Sequence, residues 1–287
     1  MVEALLAFAL LTSPLSVPQD LSGSVRTWVE QLGAKSRSQR LRAQVELLAM
    51  GPKIHPILAV TEAGDSFEER RQLAYILEKL VAPAEVCTIP AGDHAVGSPD
   101  PDDRNPERTV TLPEMTLDTT EVTNFEYYRF VRATGVRPPR EWAAFGGRYK
   151  YGEERLPVRN VSFQDAGRFA AWVGGRLPTH DEWEVAGHAG KAARFPWGSE
   201  APPSLRNSSG SLRPVRSEPR DVSPIGCYDM AASVSEWVVL EDGTSAYRGG
   251  HYVSREVWWR VNRGAVPVPS GTARLAVGFR VANRGKN

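Results

Sequence analysis

Over the first eighty positions apolar residues recur at the spacing of a helix. Val25, Trp28, Val29 and Leu32 fall at i, i+3, i+4 and i+7, and so do Leu73, Ile76, Leu77 and Leu80. Each set makes one apolar stripe on a helix whose other side is polar. The runs between them, RLRAQVELLAM, GPKIHPILAV and GDSFEERR, predict further helices parted by glycine-containing turns. Short antiparallel helices over residues 20–83 are the expected result. At APAEVCTIPAG the texture changes to prolines, glycines and short β-like runs, which places a domain boundary near residue 84. Three helices interrupt this second region, and each is announced by its start. Thr123 precedes Glu126, Ser162 precedes Asp165 and Thr179 precedes Glu182, all at the spacing of a capping box or its aspartate variant. Gly135, Gly174 and either Gly187 or Gly190 offer the matching stops. Long loops and few regular strands surround them, so residues 84–287 read as an α+β domain with high loop content.

Composition narrows the partners rather than the fold. The chain has 287 residues, 41% of them hydrophobic, which is ample for a buried core. Lys+Arg number 35 against Asp+Glu 34, so no overall field draws the protein to nucleic acid or to a membrane surface. The 2 cysteines, Cys87 and Cys227, exclude a disulfide-dense scaffold and a four-cysteine zinc site, and leave one disulfide open. Residues 4–11, ALLAFALL, followed by TSPLSVPQD, suit the core and exit of a secretory signal, except that Glu3 stands where a positive charge belongs. Residues 1–18 therefore read as a signal segment or a first helix, with a lean towards export, and the run is too short to span a bilayer. The spacing of the N-terminal helices is similar to that of HEAT-type repeats, over too few pairs to separate it from an ordinary helical subdomain.

Several separated motifs carry a resemblance. GGRLPTHDEWEVA (174–186), YDMAASVSEWV (228–238), YRGGHY (247–252) and VGFRVAN (277–283), preceded by IPAGDHAVGS, TEVTNFEYYRFV and PVRNVSFQDAGRFAAWVGG, resemble the formylglycine-generating enzyme, or sulfatase-modifying factor, family. The resemblance spans roughly residues 85–283. It implies a variant of the C-type lectin-like fold, held together by packed loops. Trp172, Trp183 and Trp237 are then expected as core anchors, since a loop-rich domain depends on buried aromatics. Arg176, Arg248 and Arg280 are expected to tie loop carbonyls, because a guanidinium offers five donors in one plane. Gly249, Gly250 and Gly278 are expected where backbone must approach closely.

The chemistry of the family does not carry over so readily. Its oxidising members hold copper with two cysteines shortly after RGG, and here those positions are Ser254 and about Trp259. Neither supplies the soft thiolate that selects monovalent copper, so copper is not expected. Another branch of the superfamily binds iron through H-x3-H-x-E, and the histidines here (His55, His94, His180, His188, His251) contain no such triplet. Ser254 in YVSRE is not in a nucleophile elbow, and no phosphate-cradling loop is present. For calcium, the family's DM-x-GNVWEW loop reads DMAASVSEW here. Ser233 and Glu236, with Asn207 in LRNSSG, remain the candidate ligands of a structural ion. DPDDRNPER at 100–108 reads as a solvated loop.

Two functions follow. The preferred one is a non-catalytic binding module whose segment after RGG presents His251, Tyr252, Ser254, Arg255, Glu256, Trp258, Trp259, Arg260 and Asn262 to a protein, peptide or glycan. The same scaffold serves as the variable display protein of diversity-generating retroelements. The alternative is a formylglycine-generating or divergent sulfatase-maturation oxidoreductase. Strand-like alternation in HYVSREVWWRVNR would bury about half of the segment, leaving a subset facing outward.

Overall fold

The computed structural model describes residues 21–50, 54, 58, 66–79, 84–150, 152–191, 193–200 and 210–283. The signal-like residues 1–18, His55, Leu80 and Asn207 lie outside these. The chain divides into two compact units, Met1–Ala82 and Pro83–Asn287. Among the described residues no helix is long and apolar enough to cross a membrane.

In the first unit, helices α1 (Leu21–Leu32), α2 (Arg37–Ala49) and α3 (Phe67–Lys79) pack against one another pairwise. The apolar stripes of the sequence are their buried faces. Val25, Val29 and Leu32 of α1 are closed from solvent together with Leu47 of α2 and Leu73, Ile76 and Leu77 of α3. Trp28 stays half-buried, with the Arg42 guanidinium 5.7 Å from its ring centre.

The second unit is α+β and rich in loops. Strands β1 (Val86–Ile89) and β4 (Met115–Asp118) form one antiparallel pair, and β2 (Gly92–Val96) and β3 (Arg108–Leu112) form another. Strands β5 (Ser235–Val239), β6 (Ser245–Arg248), β7 (Val266–Pro267) and β8 (Val277–Gly278) form a sheet in the order β7-β6-β5-β8, with β5 and β8 parallel. Helices α4 (Asn124–Thr134), α5 (Phe163–Trp172) and α6 (His180–His188) start where their caps predict. The Thr123 and Thr179 boxes are closed reciprocally, and Ser162 accepts from the Asp165 N–H. Gly135 ends α4 at φ 70°, and Gly174 follows α5 at φ 76°. Helix α6 runs through Gly187 and stops at Ala189 and Gly190, both left-handed. Gly187 is there for packing instead: a Cβ on it would lie 2.9 Å from Val261.

Two aromatic clusters fill this unit. Tyr127, Phe130, Trp142, Phe169, Trp237 and Phe279 form one, and Trp183 centres the other with Met230, Val238 and Val261. Trp183 and Trp237 are thus core anchors, each with its indole N–H satisfied, on Glu236 at 2.9 Å and on the Val161 carbonyl at 3.1 Å. Trp172 is not. It is 37% exposed at the end of α5, where it covers Phe130 and Phe169 from outside under Arg129. Cys87 of β1 and Cys227, in the loop before β5, are joined as a disulfide.

Candidate functional site

Strand β6 delivers the RGG motif, and the segment after it is a loop of tight turns rather than a strand. Gly249 takes φ 77°, and a side chain on Gly250 would strike the Ala231 carbonyl and Trp259, each at 2.5 Å. The Gly250 N–H donates to Ala231 O at 3.1 Å and the Tyr252 N–H to Ser233 O at 2.9 Å, so the first residues after the motif are pinned to the loop before β5. Ser254 Oγ then closes the turn on itself, accepting the His251 N–H at 2.9 Å and donating to the His251 carbonyl at 2.8 Å. A single 3-10 turn at Glu256–Trp258 follows.

Because the segment turns, its burial does not alternate. Val253 (60% exposed), Val257 (37%) and Trp258 (38%) face solvent beside exposed Arg255 and Glu256. His251, Tyr252, Ser254 and Arg260 are partly covered. Trp259 and Asn262, expected among the presented residues, are buried. Trp259 packs on Phe195, Ala231 and Ala232, and the Asn262 carbonyl accepts from Asn105 at 3.0 Å. Arg260 is also engaged, donating to Asp100 and Asp103 at 3.0 Å each, while Arg263 reaches Asp103 at 3.0 Å and lies 4.5 Å from the Trp258 ring centre. DPDDRNPER is mostly exposed, as a solvated loop should be, but it also anchors this segment, because Asp103 is buried and holds both guanidiniums.

The scaffold arginines behave differently from one another. Arg248 is buried and donates to the carbonyls of His180 (2.9 Å), Val261 (2.7 Å) and Arg263 (2.6 Å) while pairing with Glu184 at 2.9 Å. Burial works against ionising Glu184, yet Arg248, His188 and the Gly97 N–H together hold it down at about 2. Arg280 grips Glu236 with two bonds, of 2.6 and 2.7 Å, and reaches the carbonyls of Asp118 and Tyr228. Arg176 is half exposed and serves α6 by a two-point pair with Glu182 at 2.6 and 2.7 Å.

The site does not suit copper. Ser254 Oγ is committed to the His251 backbone, Trp259 is an indole, and both cysteines are spent on each other in a disulfide. His180, Asp181 and Glu184 bring ligand atoms within 4.8 Å of one another, but the space belongs to cations already present. Arg248 Nη1 lies 2.8 Å from His180 Nδ1, and Arg108 pairs with Asp181. Burial and Arg248 keep the His180 imidazole neutral, at about 2.

Calcium is a different matter, and its residues only partly match those expected. Glu236 is occupied by Arg280 and Trp183. The free oxygens are those of Glu121, which sequence reasoning missed although it stands in the TEVTNFEYYRFV motif, and of Ser233. Both residues are buried, and apart from their contact with each other neither the Glu121 carboxyl oxygens nor Ser233 Oγ has a hydrogen-bond partner among the described residues. Burial raises Glu121 well above the usual carboxylate range, with Asp229 and Glu236 adding to the effect. Burial likewise lifts Asp221 and Asp229 to about 7. Four buried carboxylates, Glu121, Asp221, Asp229 and Glu236, thus lie near Arg280, which bonds Glu236 alone among them, while Asp221 accepts the Ala231 and Ala232 N–H groups and Asp229 the Arg216 N–H.

Residues 76–285 match the sulfatase-modifying factor enzyme 1-like domain. The formylglycine-generating enzyme of Thermomonospora curvata is 30% identical over 211 residues, covering 53% of this chain and 70% of that protein. The serine/threonine-protein kinase Pkn1 of Chlamydia trachomatis is 34% identical over 169 residues, 53% of this chain but 27% of the kinase. This chain therefore spans about a quarter of that relative's length. The inactive C-alpha-formylglycine-generating enzyme 2 of Mus musculus is 28% identical, covering 52% of the chain and 66% of the mouse protein. Among solved structures, PvdO from Pseudomonas aeruginosa (TM-score 0.58, 23% identity) and Treponema denticola variable protein 1 (TM-score 0.56, 20% identity) each cover 70% of this chain and 95% of their own. At these identities the structural likeness is one of fold.

Proposed function

The chain belongs to the sulfatase-modifying factor enzyme 1-like domain family, and from that premise we propose that it is a non-catalytic binding module of the family. One observation carries the reading. The two positions aligned with the copper thiolates of the oxidising members are a serine closed onto its own turn and a buried tryptophan, while the same loop turns Val253, Arg255, Glu256, Val257 and Trp258 outward. Loss of the redox ligands with retention of an anchored, exposed aromatic loop suits recognition of a protein, peptide or glycan. The existence of an inactive relative supports the reading.

The test has two arms. The protein is loaded with monovalent copper, dialysed and incubated with a sulfatase-type cysteine peptide. Neither retained copper nor an aldehyde product by mass spectrometry is expected, and either one would establish the oxidoreductase alternative. Affinity capture is then compared between the native chain and the Trp258→Ala/Arg255→Ala variant. A specific partner recovered by the first and lost from the second, at unchanged thermal stability, is the expected outcome.

A structural calcium ion accompanies this proposal, held by Glu121, Asp229 and Ser233, where it would neutralise buried charge and stabilise the loop before β5. Thermal melting in calcium against a chelator checks it. Calcium raises the midpoint of the native chain by preferential binding to the folded state. Glu121→Gln, which keeps the neutral side chain but cannot ionise to meet the cation, abolishes that increment and leaves the midpoint in the chelator close to that of the native chain.

A further inference from the structure

The sheet of β2 and β3 has an edge to which no strand of the second unit pairs among the described residues. β3 pairs with β2 throughout, Val110 opposite His94, and no backbone hydrogen bond or bridge within the described residues reaches its other side. Such an edge is a template for another strand unless a proline, a bulge or a charge blunts it. In RTVTL the charge stands at the first position, Arg108, and Pro113 comes only after the last.

Facing this edge is a groove of 660 Å³, whose far wall is the end of β5 and the turn that follows it. Val110, Leu112 and Leu240 supply its apolar surface. Its charge is one-sided: Asp181, Glu241 and Asp242 against Arg108, which is itself paired with Asp181. The N-terminus of α6 also borders the groove, but its capping box is closed by Glu182, so it offers no seat for an anion.

We propose that this groove takes an extended basic peptide from another protein as an added strand on β3. Main-chain bonds to the open edge would supply affinity. Alternate side chains would divide between the two walls, apolar ones over Val110, Leu112 and Leu240 and cationic ones beside Glu241 and Asp242. The five residues of β3 give a ladder of about 17 Å, enough for a heptapeptide to overlap it fully. This surface is separate from the loop after RGG and does not depend on the function of that loop.

The experiment uses the full chain and two fluorescein-labelled peptides, KVTVKVTK and its acidic counterpart EVTVEVTE. Fluorescence anisotropy is expected to give saturable binding of the basic peptide, at least tenfold tighter than the acidic one and about tenfold weaker with Glu241→Lys, a substitution at an exposed turn. Hydrogen exchange of residues 108–112 is expected to slow when the basic peptide is bound. Equal binding of the two peptides, indifference to Glu241→Lys, unchanged exchange over β3, or no saturable binding because the chain itself fills the groove would each overturn the proposal.

Discussion

Arg248 joins three loop carbonyls and a carboxylate at a point no solvent reaches. Replacing it by alanine leaves Glu184 buried without its guanidinium partner, so Arg248→Ala is expected to cost about 3–5 kcal/mol in a denaturant titration. Trp258→Ala, which removes a partly exposed ring resting on Arg263, is expected to change stability by less than about 1 kcal/mol. A comparable loss from both substitutions would contradict the division between scaffold and presented residues. A scaffold role was legible for Arg248 before the RGG turn and for Arg280 in the GFR motif, because one guanidinium can tie several loop carbonyls at once. Trp259 and Asn262 were named among the presented residues but are buried, because the segment turns back onto Phe195, Ala231, Ala232 and Asn105, which are distant in sequence. Asp103 and Glu121 were not legible as anchor and orphan: Arg260 lies 157 positions from Asp103, and desolvation leaves no mark in the order of residues.

Helix α6 shows at the scale of an element how local and distant demands combine. Its start is local, set by Thr179 and Glu182, and Thr179→Ala is expected to lower stability by about 1 kcal/mol, measurable as a lower melting midpoint. Its interior answers to distant partners, since Glu184 receives the Gly97 N–H and Asn105 as well as Arg248. The folded value of about 2 for Glu184 lies below its ordinary 4.5, so the folded state binds this proton less readily than the unfolded chain. The contribution is complete above pH 4.5 and is lost as the pH falls towards 2. Relative to native protein, Glu184→Gln should therefore flatten the loss of stability between these limits in acid titrations followed by circular dichroism. All three helix starts in this unit could be read from their caps. The end of α6 could not, because Gly187 resembles a stop in sequence and is retained for contact with Val261. Trp172 was overrated for a similar reason: helix position decides which face it occupies, and the last turn of α5 leaves it outside.

At the scale of the molecule, both aromatic clusters draw their residues entirely from the unit Pro83–Asn287. A chain shortened to residues 83–287 is accordingly expected to be soluble and to unfold in one cooperative calorimetric transition. A broad, non-cooperative melt would show that the helices before residue 83 complete its core. The change of texture near residue 84 was visible because packed loops need prolines and glycines that a helical segment avoids. Pairing of strands as short as β7 and β8 was not, since two residues carry no periodicity.

The bond between Cys87 and Cys227 has a consequence for how this unit withstands proteases. The cysteines are 140 positions apart, so most of the domain's first two-thirds lies inside one covalent ring. A single cut anywhere within that ring opens it without releasing a fragment. Limited digestion at an exposed bend such as Gly146–Gly147 would yield a species that migrates near full length on a non-reducing gel and separates into two pieces only after reduction. A cut within the ring would therefore leave the loop after RGG covalently attached to both pieces of the domain.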